Sequence, residues 1–254
     1  MPPRPPAFPR IIGHRGAAAH APENTLAGFR KAAELGCRMV EFDVKLSSDG
    51  IAVLMHDQTV ARTAGGAPGA VRDMTLAALK ALDVGGGFGP AFAGERVPTL
   101  EEALGLALAL GLAVNVEIKP CPGREAETAE AAIAVIRAVW PLDREPPLLS
   151  SFATDSLLAA KRVAPDLPRG WLVEVRPTDW RAIVAAVDPA TVHPDHSGLT
   201  AQIVADYRAE GRPVLAYTVN DPDRARTLFG IGVDAVITDR PDALMPIAEE
   251  AAGS

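Results

Sequence analysis

The segment Val40-Glu41-Phe42-Asp43-Val44-Lys45-Leu46 continues through Ser47-Ser48-Asp49-Gly50 to Ile51-Ala52-Val53-Leu54-Met55-His56-Asp57 and opens with apolar and polar side chains in strict alternation. That period of two predicts a strand with Val40, Phe42, Val44 and Leu46 on one face and Glu41, Asp43 and Lys45 on the other. The two carboxylates then lie roughly 6–7 Å apart along the strand, on a face too polar for an ordinary core. Ser47-Ser48-Asp49-Gly50 is a tight-turn signal, so residues 51–56 are expected to fold back as the second arm of a hairpin ending at His56.

The same pattern returns where Val114, Val116 and Ile118 alternate with Asn115, Glu117 and Lys119. If both polar faces look into one space, Glu41, Asp43 and Glu117 converge. Carboxylates about 4 Å apart repel by roughly 4 kcal/mol at an effective dielectric of about 20, so they need a shared proton, a cationic side chain or a metal ion. A salt-bridge layer with Arg15, Lys45 and Lys119 is the structural alternative, but three acids against so few bases at one level leave a cation to be explained. The expected ligand is one hard divalent cation, Mg2+ or Ca2+.

Around these strands the chain alternates. Ile11-Ile12-Gly13-His14 reads as a short buried strand, followed by a helix capped at Asn24 or Thr25 and stopped by Gly36. Residues 62–100 hold eight glycines and three prolines around one helical patch at 76–82, which reads as an inserted lobe beside the active site. Gly85-Gly86-Gly87-Phe88-Gly89-Pro90 fails as a dinucleotide fingerprint because Pro90 stands where the third glycine belongs. Beyond the lobe, helices near 100–110, 124–139, 154–163, 178–186, 200–210 and 222–230 alternate with strands at 113–118, 148–152, 170–173, 191–193, 214–218 and 235–238. Nine strands result, and setting aside the hairpin arm leaves eight. Eight βα units in a chain of 254 residues predict an α/β fold, a (β/α)8 TIM barrel in one domain spanning 1–254, with a small inserted lobe at about 58–98.

Hydrophobic residues make up 48% and charged residues 22%, which supports a globular core rather than a disordered chain. The formal net charge of -7 and the lack of a basic run argue against a nucleic-acid partner. Cys37 and Cys121 have no metal-ligand spacing and are expected to be reduced. The proline-rich lead-in, residues 1–10, has no apolar core of signal-peptide length, and no segment reaches the apolar run of a membrane span, so the expected address is the cytoplasm.

In such a barrel the active site lies at the carboxyl ends of the strands, where His14, Asp43, Lys119, Phe152, His193 and Thr218 all fall. His14 and His56 at one mouth, beside a carboxylate cluster, suit a general base and a general acid. Arg15 and Lys119 are placed to hold phosphate oxygens. Phe152 and Tyr217 are read either as mouth packing or as the apolar wall of a substrate site. Glu23 is expected to bond His14 or to favour the positive end of its helix. Asp57, pointing away from His56 if the strand continues, is expected to cap the next segment. His193-Pro194-Asp195-His196 looks like a fragment of a zinc-ligand run without the further ligands it needs, but His193 at a strand end is expected to line the pocket. His20 and His196 are read as solvated loop residues.

His14-Arg15-Gly16, Pro22-Glu23-Asn24-Thr25, Glu41-Phe42-Asp43-Val44, His56-Asp57, Pro98-Thr99-Leu100-Glu101, Glu117-Ile118-Lys119, Ser150-Ser151-Phe152, Tyr217-Thr218-Val219-Asn220 and Gly232-Val233-Asp234 together resemble the glycerophosphodiester phosphodiesterases, in order from about residue 10 to 245. The resemblance implies a phosphodiesterase barrel with Glu41, Asp43 and Glu117 on a divalent ion, His14 and His56 as the acid–base pair, and Arg15 and Lys119 on the phosphate. Tyr217 stands where many relatives have Trp. The implied reaction is hydrolysis of a small glycerophosphodiester, such as glycerophosphocholine or glycerophosphoethanolamine, to glycerol 3-phosphate and an alcohol. The nucleophile is either water or the substrate's own glycerol hydroxyl through a cyclic phosphate. The nearest alternative is a phospholipase D-like enzyme acting on lysophospholipids, and the lobe, with few large apolar residues and no amphipathic anchor, favours the water-soluble substrate. A barrel that binds phosphodiesters without cleaving them ranks last, since no catalytic position is missing. The oligomeric state stays open.

Overall fold

The computed structural model describes residues 7–250, so residues 1–6 of the proline-rich lead-in lie outside the described range. The strands are β1 (Ile11–His14), β2 (Met39–Leu46), β3 (Ala52–Leu54), β4 (Ala113–Ile118), β5 (Leu148–Ser151), β6 (Arg169–Val173), β7 (Thr191–Pro194), β8 (Leu215–Ala216) and β9 (Ala235–Thr238). All but β3 form a path in the order β7-β6-β5-β4-β2-β1-β9-β8, and each neighbouring pair on it is parallel. The two ends of that path meet through parallel bridges between Val192 and Val214 and between Asp195 and Tyr217, which close the ring into the expected (β/α)8 barrel. β3 pairs antiparallel with β2, Val44 opposite Leu54, and stands outside the ring as the hairpin arm.

The helices are α1 (Leu26–Glu34), α2 (Leu76–Ala81), α3 (Leu100–Leu110), α4 (Glu125–Val139), α5 (Thr154–Val163), α6 (Trp180–Val187), α7 (Ala201–Ala209), α8 (Pro222–Gly230) and α9 (Pro241–Glu250). Thr25, not Asn24, caps α1, accepting from the Gly28 amide at 3.1 Å. Helix α3 opens on a capping box in which Thr99 and Glu102 satisfy each other's backbone N–H groups. The strand expected at 214–218 is regular only at Leu215–Ala216. Outside those two residues the Val214 amide leaves the ladder for the Asp234 carboxylate.

The alternation in β2 sorts side chains as its period requires. Val40, Phe42, Val44 and Leu46 join Leu104, Ala107 and Ile133 in the apolar layer between sheet and helices, and Phe42 packs on Phe29 with ring centroids 5.1 Å apart. Inside the ring, Ile12, Met39, Leu148, Leu215, Ala235 and Ile237 fill the floor. The segment between β3 and α3 has its own small core of Val60, Val71, Leu79, Val84 and Val97 against Val53 and Met55. A backbone bond from Leu54 to Pro98 closes the segment's base at 2.9 Å.

Candidate active site

Glu41 and Asp43 on β2 and Glu117 on β4 are all buried, and one carboxylate oxygen of each lies within 4.8 Å of the other two. The register produces this, since Asp43 stands directly opposite Glu117 on the neighbouring strand. Asn24 clamps Asp43 from outside the strand: its side-chain amide donates to Oδ2 at 2.8 Å, and its carbonyl oxygen accepts from the Asp43 backbone N–H at 3.1 Å. Two cations face the cluster. Lys119 Nζ is 2.9 Å from Glu117 Oε1 and 3.3 Å from Asp43 Oδ1, and Arg15 Nε is 3.3 Å from Asp43 Oδ2.

Within the cluster their ion pairs go to Asp43 and Glu117 and leave Glu41 without a Lys or Arg partner, and the third base of the layer, the buried Lys45, donates to the Lys119 carbonyl at 2.9 Å instead. Burial alone would raise Asp43, but Lys119 and Arg15 beside it hold it well below the usual carboxylate range. Burial, then the charge of Asp43, pushes Glu117 up to about 7. Burial and both neighbouring carboxylates push Glu41 well above its ordinary value. Glu41 Oε1 is buried with no hydrogen-bond partner. An orphaned oxygen in a cluster short of positive charge is the setting in which a hard divalent cation fits, and among the described residues these three acids form the one group suited to hold a metal ion.

His14 ends β1 and His56 follows β3, and both line one cavity with Arg15, Glu41, Glu117, Lys119, Phe152, Leu172, Tyr217, Thr218 and Ile237. Each imidazole is tied at Nδ1, His14 to Asp239 Oδ1 at 2.6 Å and His56 to Asp57 Oδ1 at 2.6 Å. Nε2 of His14 points to the acids, 3.9 Å from Glu41 Oε2. Asp239 is itself held by Asn220, which donates to Oδ2 at 2.7 Å and accepts from the Asp239 amide at 2.9 Å. Burial lowers the His56 pKa, against the pull of Asp43, and Arg15 adds to the lowering.

Two expectations are corrected here. Asp57 does not turn away to cap the next segment: β3 stops at Leu54, the alternation lapses, and the carboxylate swings back onto His56. Of the two readings of Glu23 the bond to His14 is not made: Glu23 bonds Arg15 at 2.9 Å and Arg62 of the inserted segment, while His14 is taken by Asp239. These bonds do not bear on the reading that places Glu23 at the positive end of its helix. Sequence reasoning gave no role to Asp239, Asn220 or Arg62. The first two sit just past the ends of β9 and β8, the signal that picked out His14 and Phe152.

Phe152 and Tyr217 meet edge to face at 5.6 Å, with Lys119 Nζ 5.4 Å above the Phe152 ring, and Phe152 stays 42% exposed at the mouth. His193 is a third correction. It does not line the cavity but lies fully buried over Gly170, with Nε2 2.8 Å from Thr191 Oγ1. Its side chain follows the inward face of β7 down into the barrel. His20 and His196 are partly exposed loop residues held by Asp242 and Arg224.

A cavity at the carboxyl mouth of a parallel barrel that joins clustered acids, two histidines fixed at Nδ1 and two cations has the parts that cation-assisted hydrolysis of an anionic substrate needs. Residues 14–243 match the glycerophosphoryl diester phosphodiesterase family, and the chain belongs to it as a phosphodiester-cleaving enzyme. It is 35% identical over 245 residues to a glycerophosphodiester phosphodiesterase of Caldanaerobacter subterraneus subsp. tengcongensis, covering 94% of this chain and 98% of that one. A phosphodiesterase of Oleispira antarctica, solved in complex with the product sn-glycerol-3-phosphate, superposes with a TM-score of 0.91 at 40% identity, covering 97% of this chain and 98% of the other. The glycerophosphodiester phosphodiesterase of Thermotoga maritima gives 0.75 at 27% identity, over 95% and 99% of the two chains.

Proposed function

We propose that this chain hydrolyses small glycerophosphodiesters, glycerophosphocholine and glycerophosphoethanolamine among them, to sn-glycerol 3-phosphate and the free alcohol. One domain with its insertion at about 58–98 carries the reaction. The observation behind this reading is the convergence of Glu41, Asp43 and Glu117, with Glu41 Oε1 unpartnered, beside two histidines each fixed at Nδ1. These three acids would hold one divalent cation, Mg2+ or Ca2+, which when bound offsets the phosphate charge and the charge that grows on its oxygens in the transition state.

The chain's own groups do the rest. Arg15 and Lys119 exchange part of their hold on Asp43 for the non-bridging oxygens of the substrate. With Nδ1 locked on a carboxylate, each histidine presents Nε2 as the nitrogen that takes or gives a proton. One accepts a proton from the nucleophile, water or the glycerol hydroxyl, and the other delivers one to the leaving alkoxide. Phe152 and Tyr217 wall the carbon skeleton of the substrate. No helix among the described residues is long and apolar enough to cross a membrane.

The test is release of glycerol 3-phosphate from glycerophosphocholine by the purified protein, after chelation and after adding back magnesium or calcium. Release that stops on chelation and returns with one ion is the expected result. No release with either ion, together with release from a lysophospholipid, would move the substrate to the lipid class.

A further inference from the structure

We propose that Arg62, on the inserted lobe, is a positioning residue that sets His56 and Arg15 at the same time, an inference resting on the roles given to those two residues above. Its guanidinium reaches two carboxylates with three nitrogens. Nη1 and Nη2 donate to the two oxygens of Glu23, each at 2.7 Å, and Nε donates to Asp57 Oδ2 at 2.7 Å. The same two carboxylates hold the site. Asp57 Oδ1 is 2.6 Å from His56 Nδ1, and Glu23 Oε1 accepts from Arg15 Nη1 at 2.9 Å.

Without Arg62, Asp57 would keep only its contact with the neighbouring His56, and the pair could rotate together about two adjacent side chains. The guanidinium removes that freedom by pinning the far oxygen of Asp57. Glu23 is pinned in the same way, which fixes the angle at which Arg15 enters the cavity. A planar fork suits this task and an ammonium does not, because one nitrogen on a flexible stem cannot meet three oxygens on two carboxylates in fixed directions. The side chain of Arg62 is 50% exposed, so its ion pairs add little to stability while they specify geometry. The lobe is thereby tied to the chemistry by a residue whose side-chain bonds go to Glu23 and Asp57 and to none of the three clustered acids.

The experiment compares wild type, Arg62→Ala and Arg62→Lys by steady-state cleavage of glycerophosphocholine with saturating divalent ion. It also records thermal midpoints and the imidazole 15N signals of His56, assigned by their loss in His56→Ala. The expected result for Arg62→Ala is a kcat lowered about 10–100-fold, in the range typical of lost supporting contacts, with the thermal midpoint nearly unchanged. Added guanidinium ion restores part of that loss and does nothing for wild type or His56→Ala, and the His56 signals move from a single tautomer toward a mixture. Arg62→Lys behaves like the alanine variant. Wild-type kcat in Arg62→Ala with unmoved His56 signals would overturn the proposal, and so would full activity in Arg62→Lys, which would make charge rather than the fork sufficient. Should Arg62→Ala fail to fold, Arg62→Lys carries the test. Should wild type cleave no glycerophosphodiester, the functional reading fails by itself, and the His56 signals still decide on Arg62: a shift supports its role and none removes it.

Discussion

Asn24 takes a φ of 55°, a left-handed conformation that Asn tolerates better than most side chains. There its amide meets both the backbone N–H and the carboxylate of Asp43, so the strained residue fixes a proposed metal ligand at two points. Asn24→Ala is expected to weaken the apparent affinity for magnesium or calcium by about 10–100-fold, read from the ion dependence of turnover. Asn24→Asp, which sets a like charge against Asp43, is expected to do more damage. His193 makes a separate prediction. Burial pushes its imidazole down to about 3, so the folded chain keeps it neutral where the unfolded chain would protonate it. The stability it contributes is present above about pH 6.5, the ordinary histidine value, and is lost as pH falls toward that lowered one. His193→Gln should therefore flatten the fall of the thermal midpoint with acidification in that window, and parallel curves would sink the idea. The three acids were legible because strand alternation exposes them. Asp239 was not, because its partner His14 lies 225 positions away and only the β1–β9 pairing brings them together. Arg62 carried no signal of its own, because only the folded segment brings it to Glu23 and Asp57.

Elements were read more securely than their ends. The turn chemistry at Ser47–Gly50 placed the hairpin, and the apolar period placed the helices, because both signals are local. β8 came out shorter than its apolar run, since ring closure leaves only two of its residues in regular pairing. Thr99 shows what one local signal is worth. It starts α3 where the chain returns from the lobe to the barrel, and Thr99→Ala removes one half of the capping box. The expected cost is about 1 kcal/mol, a fall of about 2–4 °C in the thermal midpoint. Turnover under folded conditions should not change, and a matching loss of kcat would mean that α3 carries part of the site's geometry.

For the whole molecule, the charge imbalance at the mouth links ion binding to folding. An ion that occupies the three acids stabilises only the folded chain. At about 100 times its dissociation constant it should add about 2.7 kcal/mol, a rise of about 5–10 °C in the thermal midpoint. Glu41→Gln and Glu117→Gln should lose most of that rise, and this readout needs no substrate. An undiminished rise in both variants would place the ion elsewhere. The barrel is also unevenly knit. β2 and β4, which carry the three acids, pair in register from Met39 with Ala113 to Val44 with Ile118, whereas β7 and β8 meet at two isolated bridges. Brief opening of the ring therefore belongs to that seam. In deuterated water the amides of Val192 and Tyr217, which bond across it to Pro213 and Pro194, should exchange sooner than those of β2 and β4. Tyr217 rides on that seam, so on the proposed function its side of the cavity is expected to yield to a bulky head group before the arc of β2 and β4 that carries the acids does.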